Sequence, residues 1–237
     1  MLSVAPPATG AFVREHLRTP LALVLLVWIP VFFVLIFASI LGDFAEALGG
    51  TLMARSATAI SAGWAAAFLS GTLAFFQVSS SRGADRRLAA AGLGPWRVAA
   101  SRIAASLAAG TAVSAVAFAT LWLRSGIGHP LHAFVAIFSF AVIYIGLGAL
   151  VGAFVSGALE GSLLVLLLFS VDAFTSPEMT SSDPFAWTPT RSAAELLIAA
   201  GGGKGSPGAD WLGMTAVAVG ALAIALGAFW MAARTRP

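Results

Sequence analysis

The sequence predicts an α-helical integral membrane protein. Of its 237 residues, 59% are hydrophobic and only 10% are charged, and the mean hydropathy is +0.94; a soluble core cannot bury so much apolar surface. Several apolar runs approach or exceed the roughly 20 residues that a helix needs to cross a bilayer. Lipid offers the backbone no hydrogen-bond partners, so these long runs are expected to be helices. We expect a single transmembrane domain over residues 1–237.

Six apolar runs have about the length of a helical span. The first contains Pro30, where we expect a kink, and it is too long for the apolar region of a signal peptide. Only the short turn SGALEGS, residues 156–162, separates the fourth run from the fifth. The predicted spans are 20–41, 57–78, 99–123, 132–156, 160–176 and 211–233.

Small residues recur at every fourth position in three of these runs, which predicts close helix packing in lipid. Such a face serves either packing within the chain or a contact that forms a dimer or opens a gate. The residues are Gly63, Ala67 and Gly71; Ser106, Gly110 and Ser114; and Gly148 with Gly152.

The basic residues are divided unevenly between the two sides of the predicted bundle. With both termini in the cytoplasm, nine of the thirteen Lys and Arg residues fall inside and four outside, as the positive-inside rule predicts. Topology therefore explains the sequence pI of about 10.6 without a nucleic-acid partner. The inner residues are Arg14, Arg18, Arg82, Arg86, Arg87, Arg97, Arg102, Arg234 and Arg236, and the outer ones are Arg55, Arg124, Arg191 and Lys204.

The sequence predicts no catalytic, cofactor-binding or metal-binding residue. No ionisable residue lies near the middle of a predicted span, which argues against an internal ion-coupling site, and Arg102 and Asp172 are expected at the membrane interfaces. His129 and His132 have no plausible third ligand nearby for a metal. GGGKGS, residues 201–206, does not match the spacing of a phosphate-binding loop, so any ATP must be bound by another subunit.

The one charge-rich stretch is SSSRGADRRLAAAGLGPWRVAASR, residues 79–102, here called the arginine segment. Residues 79–91 predict a short membrane-surface helix that starts at the serines and is ended by Gly92 and Gly94, and Pro95 suits the first turn of the next helix. Two interpretations are open. The arginine segment either fixes topology and binds anionic lipid or docks a cytoplasmic partner.

Within this segment, RGADRRLAAAGLGPWRVAASR resembles the cytoplasmic loop of ABC type-2 transporter permeases, the membrane subunits of many drug, lipid and polysaccharide exporters. The opening GAFVREHLRTPLALVLLVWIPVFFVLIFA is similar to that family's amphipathic elbow helix and first span. DPFAWTPTRSAAELLIAAG occupies the place where these permeases carry short outer helices or a re-entrant hairpin. Here Ser192 and Glu195 predict a capping box for a helix ending at Gly201.

The resemblance implies an ATP-driven exporter in the plasma membrane, with both termini cytoplasmic. Two permease copies, identical or close paralogues, would sit on two cytoplasmic ABC ATPase subunits that hold ATP and Mg²⁺, while this chain binds no cofactor and is not itself an enzyme. The resemblance also implies an ATPase-coupling surface made of Arg82, Asp85, Arg86, Arg87, Leu88 and Leu93 and an elbow helix carrying Phe12, Arg14, Glu15 and Arg18.

The scarcity of charge inside the predicted bundle favours a hydrophobic or amphiphilic substrate. Aromatic side chains in spans also face lipid or neighbouring helices, so the residues of a candidate translocation path have two interpretations; they are Phe75, Phe76, Phe138, Phe140 and Tyr144. The alternative function is a non-transporting membrane anchor or regulatory subunit, which would use the arginine segment to bind a cytoplasmic partner or anionic lipid.

Overall fold

The computed structural model describes residues 20–179, 188–201 and 211–234 of the protein, with side chains from residue 24 onward. These ranges are almost entirely helical and contain no strand, which confirms the predicted all-α class. The elbow residues Phe12, Arg14, Glu15 and Arg18 lie outside the described residues.

Eight α-helices follow one another along the described chain. Two short π-helical segments interrupt them, Phe33–Phe37 after α1 and Ala89–Leu93 after α3. The helices are α1 Pro20–Phe32, α2 Ala38–Ala47, α3 Ala54–Leu88, α4 Pro95–Ser125, α5 Pro130–Phe154, α6 Ala158–Phe174, α7 Arg191–Ala200 and α8 Trp211–Ala233.

Five helical stretches are long and apolar enough to cross a membrane, so the protein is membrane-embedded. They are Val24–Ala47, Ala54–Leu93, Pro95–Ser125, Pro130–Phe154 and Trp211–Ala233. The fifth predicted span, 160–176, corresponds to α6, which has 17 residues and a length of about 25 Å at 1.5 Å per residue, a little less than the roughly 30 Å of a hydrocarbon core.

The helix boundaries follow local sequence signals. Gly94 has φ +75° immediately before α4, and Gly126 has φ +64° immediately after it; a residue with a side chain adopts such angles at an energetic cost. Pro95 and Pro130 lie in the first turns of α4 and α5, where the missing N–H of proline breaks no helical hydrogen bond. In the first span, the π-helical segment begins three residues after Pro30, near the predicted kink.

Helix α3 lies at the centre of the bundle and packs most extensively on α5. Gly71 and Gly148 face each other so closely that a Cβ atom on Gly148 would overlap the backbone of Gly71, and a Cβ on Gly152 would lie 2.8 Å from the carbonyl oxygen of Phe75. Gly63 likewise abuts the ring of Phe140. The predicted close packing of small residues is confirmed, and these contacts lie within the chain.

The predicted separate surface helix at residues 79–91 is wrong, because α3 continues without a break through Leu88. The serines do not start a new helix. They lie inside α3, where their hydroxyls donate hydrogen bonds to carbonyls in the preceding turn. Ser80 Oγ donates to Phe76 O at 2.6 Å, and Ser81 Oγ donates to Gln77 O. The predicted helix end at Gly92 agrees better with the structure, because Gly92 has φ +104° and interrupts the helical backbone.

The short helix α7 ends at Gly201, as predicted, but it has no Ser192–Glu195 capping box. It starts at Arg191 with Thr190 as its N-cap residue and without a side-chain capping hydrogen bond. Glu195 instead accepts a hydrogen bond from Arg191 Nε at 3.0 Å. Thr190 directs its hydroxyl to Asp172.

Candidate functional site

The arginine segment forms the end of α3, the turn that follows and the start of α4. Arg86 and Arg87 are exposed and Leu88 and Leu93 are half-buried, so these four side chains lie at least partly on the surface. Asp85 is only 1% exposed, and its predicted place on an exposed coupling surface is wrong. The physical reason is that a neighbouring helix supplies this carboxylate with a buried cationic partner.

That partner is Arg102 in α4. Its Nε and Nη2 donate to Asp85 Oδ1 at 3.1 and 2.8 Å, while Ser81 Oγ donates to Oδ2 at 2.9 Å. Arg102 is 4% exposed, so its guanidinium is paired inside the protein and does not extend to solvent. The ion pair fastens the continuation of α3 to α4.

Arg82 connects α3 to the C-terminal end of α5. Its Nη2 donates to the carbonyl oxygens of Gly152 and Val155, the second at 3.2 Å. The last carbonyls of a helix have no partner inside that helix, and a cation stabilises this end. Arg82, predicted as a coupling residue, therefore binds the end of a neighbouring helix.

Arg86 makes the corresponding contact with α8. Its Nε donates to Ala232 O at 3.3 Å, one residue before that helix ends. Arg234, just beyond α8, has its guanidinium carbon 4.5 Å from the ring centroid of Trp230. The ends of α5 and α8 are thus both held at the arginine segment.

Replacing Arg82 with leucine should destabilise the protein by about 1–3 kcal/mol, because charge-assisted hydrogen bonds to buried carbonyls are lost. Chemical unfolding in detergent micelles, followed by tryptophan fluorescence, measures the change. Arg87→Leu is the matched control, since Arg87 is exposed and its replacement should change stability by no more than about 0.5 kcal/mol. Equal stability of the two variants would contradict a fastening role for Arg82.

Sequence reasoning missed Gln77 as a partner of α4. Ser106 Oγ, expected only to pack, donates to Gln77 Oε1 inside the bundle. The sequence signal was the single amide side chain near the end of an apolar run, because a buried polar side chain requires a hydrogen-bond partner. The sequence does not reveal which residue supplies it, because the two positions are 29 residues apart.

The residues of the candidate translocation path do not form one group. Phe140 and Tyr144 are one helical turn apart in the main core, whereas Phe75 belongs to a separate cluster with Val151 and Val165. The remaining two are Phe76, which is 41% exposed, and Phe138, which stacks on Phe134 with 6.4 Å between ring centroids.

Asp172 is buried inside the bundle, although the sequence predicted an interfacial position. Its carboxylate accepts hydrogen bonds from Tyr144 Oη at 2.9 Å and from Thr190 Oγ1 at 2.8 and 2.9 Å. Tyr144 is fourteen residues from the start of the 25-residue α5, about 21 Å along that helix. Because α6 is short, it brings Asp172 into the interior of the bundle instead of to its far end.

His129 and His132 lie together at the start of α5, with ring centroids 5.4 Å apart. His132 also packs on Trp211 at 5.3 Å. Across the part of the chain that the structure describes, no three His, Cys, Asp or Glu side chains form a group able to hold a metal ion. The ring of His132 joins the starts of α5 and α8.

No protein-family model, curated protein or solved structure matches this chain.

Proposed function

We propose that this protein is the membrane-spanning permease subunit of an ATP-driven ABC exporter. The observation that carries the proposal is the length of α3. Its 35 residues extend about 52 Å, well beyond the roughly 30 Å of a hydrocarbon core. The continuation exposes Arg86 and Arg87, as a helix that docks onto a cytoplasmic ATPase requires.

Six crossings of the membrane fit the contacts at the two ends of the bundle. Val155, three residues before α6, is bonded to Arg82, so α6 starts at the end that carries the arginine segment. Trp211 starts α8 at the opposite end, beside His132. A chain that starts α6 at one end and α8 at the other crosses once between them, and we assign this fifth crossing to α6.

The distribution of arginines supports an orientation with the arginine segment in the cytoplasm. Six described arginines lie in this segment or at the end of α8 beside it, whereas Arg55 and Arg124 lie near the opposite ends of α3 and α4. This asymmetry follows the positive-inside rule. The six are Arg82, Arg86, Arg87, Arg97, Arg102 and Arg234.

The arginine contacts provide a route for mechanical coupling. A displacement of the exposed tip of α3 acts on α4 through Asp85–Arg102, on α5 through Arg82 and on α8 through Arg86. Four helices then move together when cytoplasmic ATPase subunits close on bound ATP and Mg²⁺. In this proposal a second permease copy completes the passage, and the substrate is hydrophobic or amphiphilic.

Arg87→Glu tests the docking surface directly, because Arg87 is exposed and makes none of the helix-fastening contacts described above. We expect the wild-type protein to co-purify with the ABC ATPase subunit encoded beside its gene and to support ATP hydrolysis in lipid vesicles. Arg87→Glu should weaken that association at least about tenfold, because the reversed charge would face a partner surface that is complementary to an arginine. Arg124→Glu, also exposed but at the opposite end of α4, should leave association unchanged.

Each outcome decides between the two functions. If the ATPase binds and Arg87→Glu alone releases it, the permease assignment is supported. If no ATPase associates with the wild-type protein, or if Arg87→Glu and Arg124→Glu behave alike, the permease assignment fails and the arginine segment is a topology signal of a membrane anchor.

A further inference from the structure

Four aromatic rings surround that of Phe169 on α6. Phe169 has its ring centroid 5.3 Å from Phe68, 6.1 Å from Trp64, 6.2 Å from Phe33 and 6.3 Å from Tyr144. These rings come from the first span, α3, α5 and α6. We call Phe33, Trp64, Phe68, Tyr144 and Phe169 the aromatic cluster.

Asp172 places a carboxylate next to this cluster. It follows Phe169 by three residues on α6, which puts both side chains on one face of the helix, and it is bonded to Tyr144, a member of the cluster. Its side chain is buried, with the whole residue 5% exposed. An acidic group inside a membrane bundle is costly to insert and by default marks a functional site.

The hydrogen-bond partners of Asp172 are neutral. Tyr144 and Thr190 donate hydroxyl groups, and within residues 20–179, 188–201 and 211–234 no lysine or arginine forms an ion pair with it. Asp85, by contrast, forms an ion pair with the buried Arg102. A buried carboxylate requires a compensating cation to remain charged, so Asp172 lacks the partner that Asp85 has.

One polar atom in the aromatic cluster, the indole nitrogen of Trp64, has no hydrogen-bond partner among the described residues. Trp64 is 1% exposed. Buried polar atoms in folded proteins are rarely left without a partner. An unpaired donor and an uncompensated carboxylate in one cluster both point to a ligand.

We propose that Asp172 and the aromatic cluster bind a hydrophobic organic cation. The carboxylate pairs with the positive charge, and the faces of the aromatic rings attract the same charge while accommodating its apolar substituents. Protonated lipophilic amines and quaternary ammonium or phosphonium ions share this chemistry. The inference rests on the proposed exporter function and names the class of molecule exported.

Helix α6 gives such a ligand a route from the bilayer. One side of this helix is exposed over most of its length, at Leu163, Leu166, Leu167 and Val171, and therefore faces lipid or a second copy. The opposite side carries Phe169 and Asp172. In this proposal the ligand enters the aromatic cluster from the membrane by displacing α6.

Binding of tetraphenylphosphonium to the purified protein in lipid nanodiscs tests the site. Equilibrium dialysis against empty nanodiscs separates saturable binding from partition into lipid. Tetraphenylborate, which has nearly the same shape and the opposite charge, is the matched control ligand. We expect saturable tetraphenylphosphonium binding that Asp172→Asn weakens at least about tenfold, since it removes one partner of a buried charge pair, and tetraphenylborate binding that does not weaken in this variant.

Thr190→Val separates the charge of Asp172 from its hydrogen bonds, because Thr190 donates its hydroxyl to the carboxylate and lies outside the aromatic cluster. This variant removes the donated hydroxyl but keeps the carboxylate, so tetraphenylphosphonium binding should remain within about threefold of the wild type, as expected when a neutral hydrogen bond is lost. Thermal unfolding of the same samples establishes whether both variants are folded.

Three results would overturn the proposal: no saturable tetraphenylphosphonium binding by the wild-type protein, equal binding by the wild type and Asp172→Asn, or a loss in Thr190→Val equal to that in Asp172→Asn. The assay contains no ATPase subunit. A failure here leaves the association test with Arg87→Glu unaffected, and a failure of that test leaves a cation site without a transport role.

Discussion

Replacing Arg102 with leucine should destabilise the protein by about 3–5 kcal/mol, because it leaves a buried carboxylate without its cation. Asp85 is 1% exposed, and without Arg102 its carboxylate keeps only the hydrogen bond from Ser81. Chemical unfolding in detergent, followed by tryptophan fluorescence, measures the effect.

Two control variants show whether the loss comes from the uncompensated charge. Arg97→Leu removes an exposed arginine five residues earlier on α4 and should change stability by no more than about 0.5 kcal/mol. The double variant Asp85→Leu/Arg102→Leu removes both charges and should recover much of the lost stability, since breaking a buried pair costs more than replacing it with apolar side chains. A double variant no more stable than Arg102→Leu would show that the charge is not the cause.

Gly148→Ala should disrupt the contact between α3 and α5. The added Cβ would overlap the backbone of Gly71, and a backbone cannot move aside as a flexible side chain can. The helices would have to separate, so the destabilisation should reach or exceed the roughly 1–3 kcal/mol typical of an overpacked core. The yield of monodisperse protein after size-exclusion chromatography and its thermal unfolding temperature report the effect.

Gly220→Ala on α8 is the matched control for this substitution. A Cβ there meets no atom within 4 Å, so the exchange should be neutral or should stabilise the helix by about 0.5–1 kcal/mol through the helix preference of alanine over glycine. Wild-type stability of Gly148→Ala would contradict the close approach of the two helices.

Local signals made much of the fold predictable. Gly92 and Gly94 predict a helix end and Pro95 a helix start, because their backbone preferences act where they stand in the chain. Long apolar runs predict spans for the same reason. The serines at 79–81 were misleading, because the same side chains that favour a helix start can bond back to the preceding turn.

The candidate sites were less predictable because their partners are distant in sequence. Asp85 and Arg102 are 17 residues apart, and Tyr144 and Asp172 are 28 apart. Composition and periodicity specify neither pair, since which helices meet is decided by packing of the whole bundle. The proposed docking role of Arg87 rests on the resemblance together with its exposure on the continuation of α3, because an exposed arginine by itself has the same chemistry in a topology signal and in a docking surface.

The contacts of Arg82 and Arg86 also imply an order of assembly. The carbonyl oxygens that accept hydrogen bonds from Arg82 lie about 70 residues later in the chain. The one that accepts from Arg86 lies 146 residues later. When α3 and α4 leave the ribosome, both arginines have only water and lipid headgroups as partners. The synthesis of α5 supplies the carbonyl partners of Arg82, and the synthesis of α8 supplies the carbonyl partner of Arg86. A nascent chain stopped before Trp211 would leave Arg86 without its carbonyl partner, so this end of the bundle is completed only after α8 has been made.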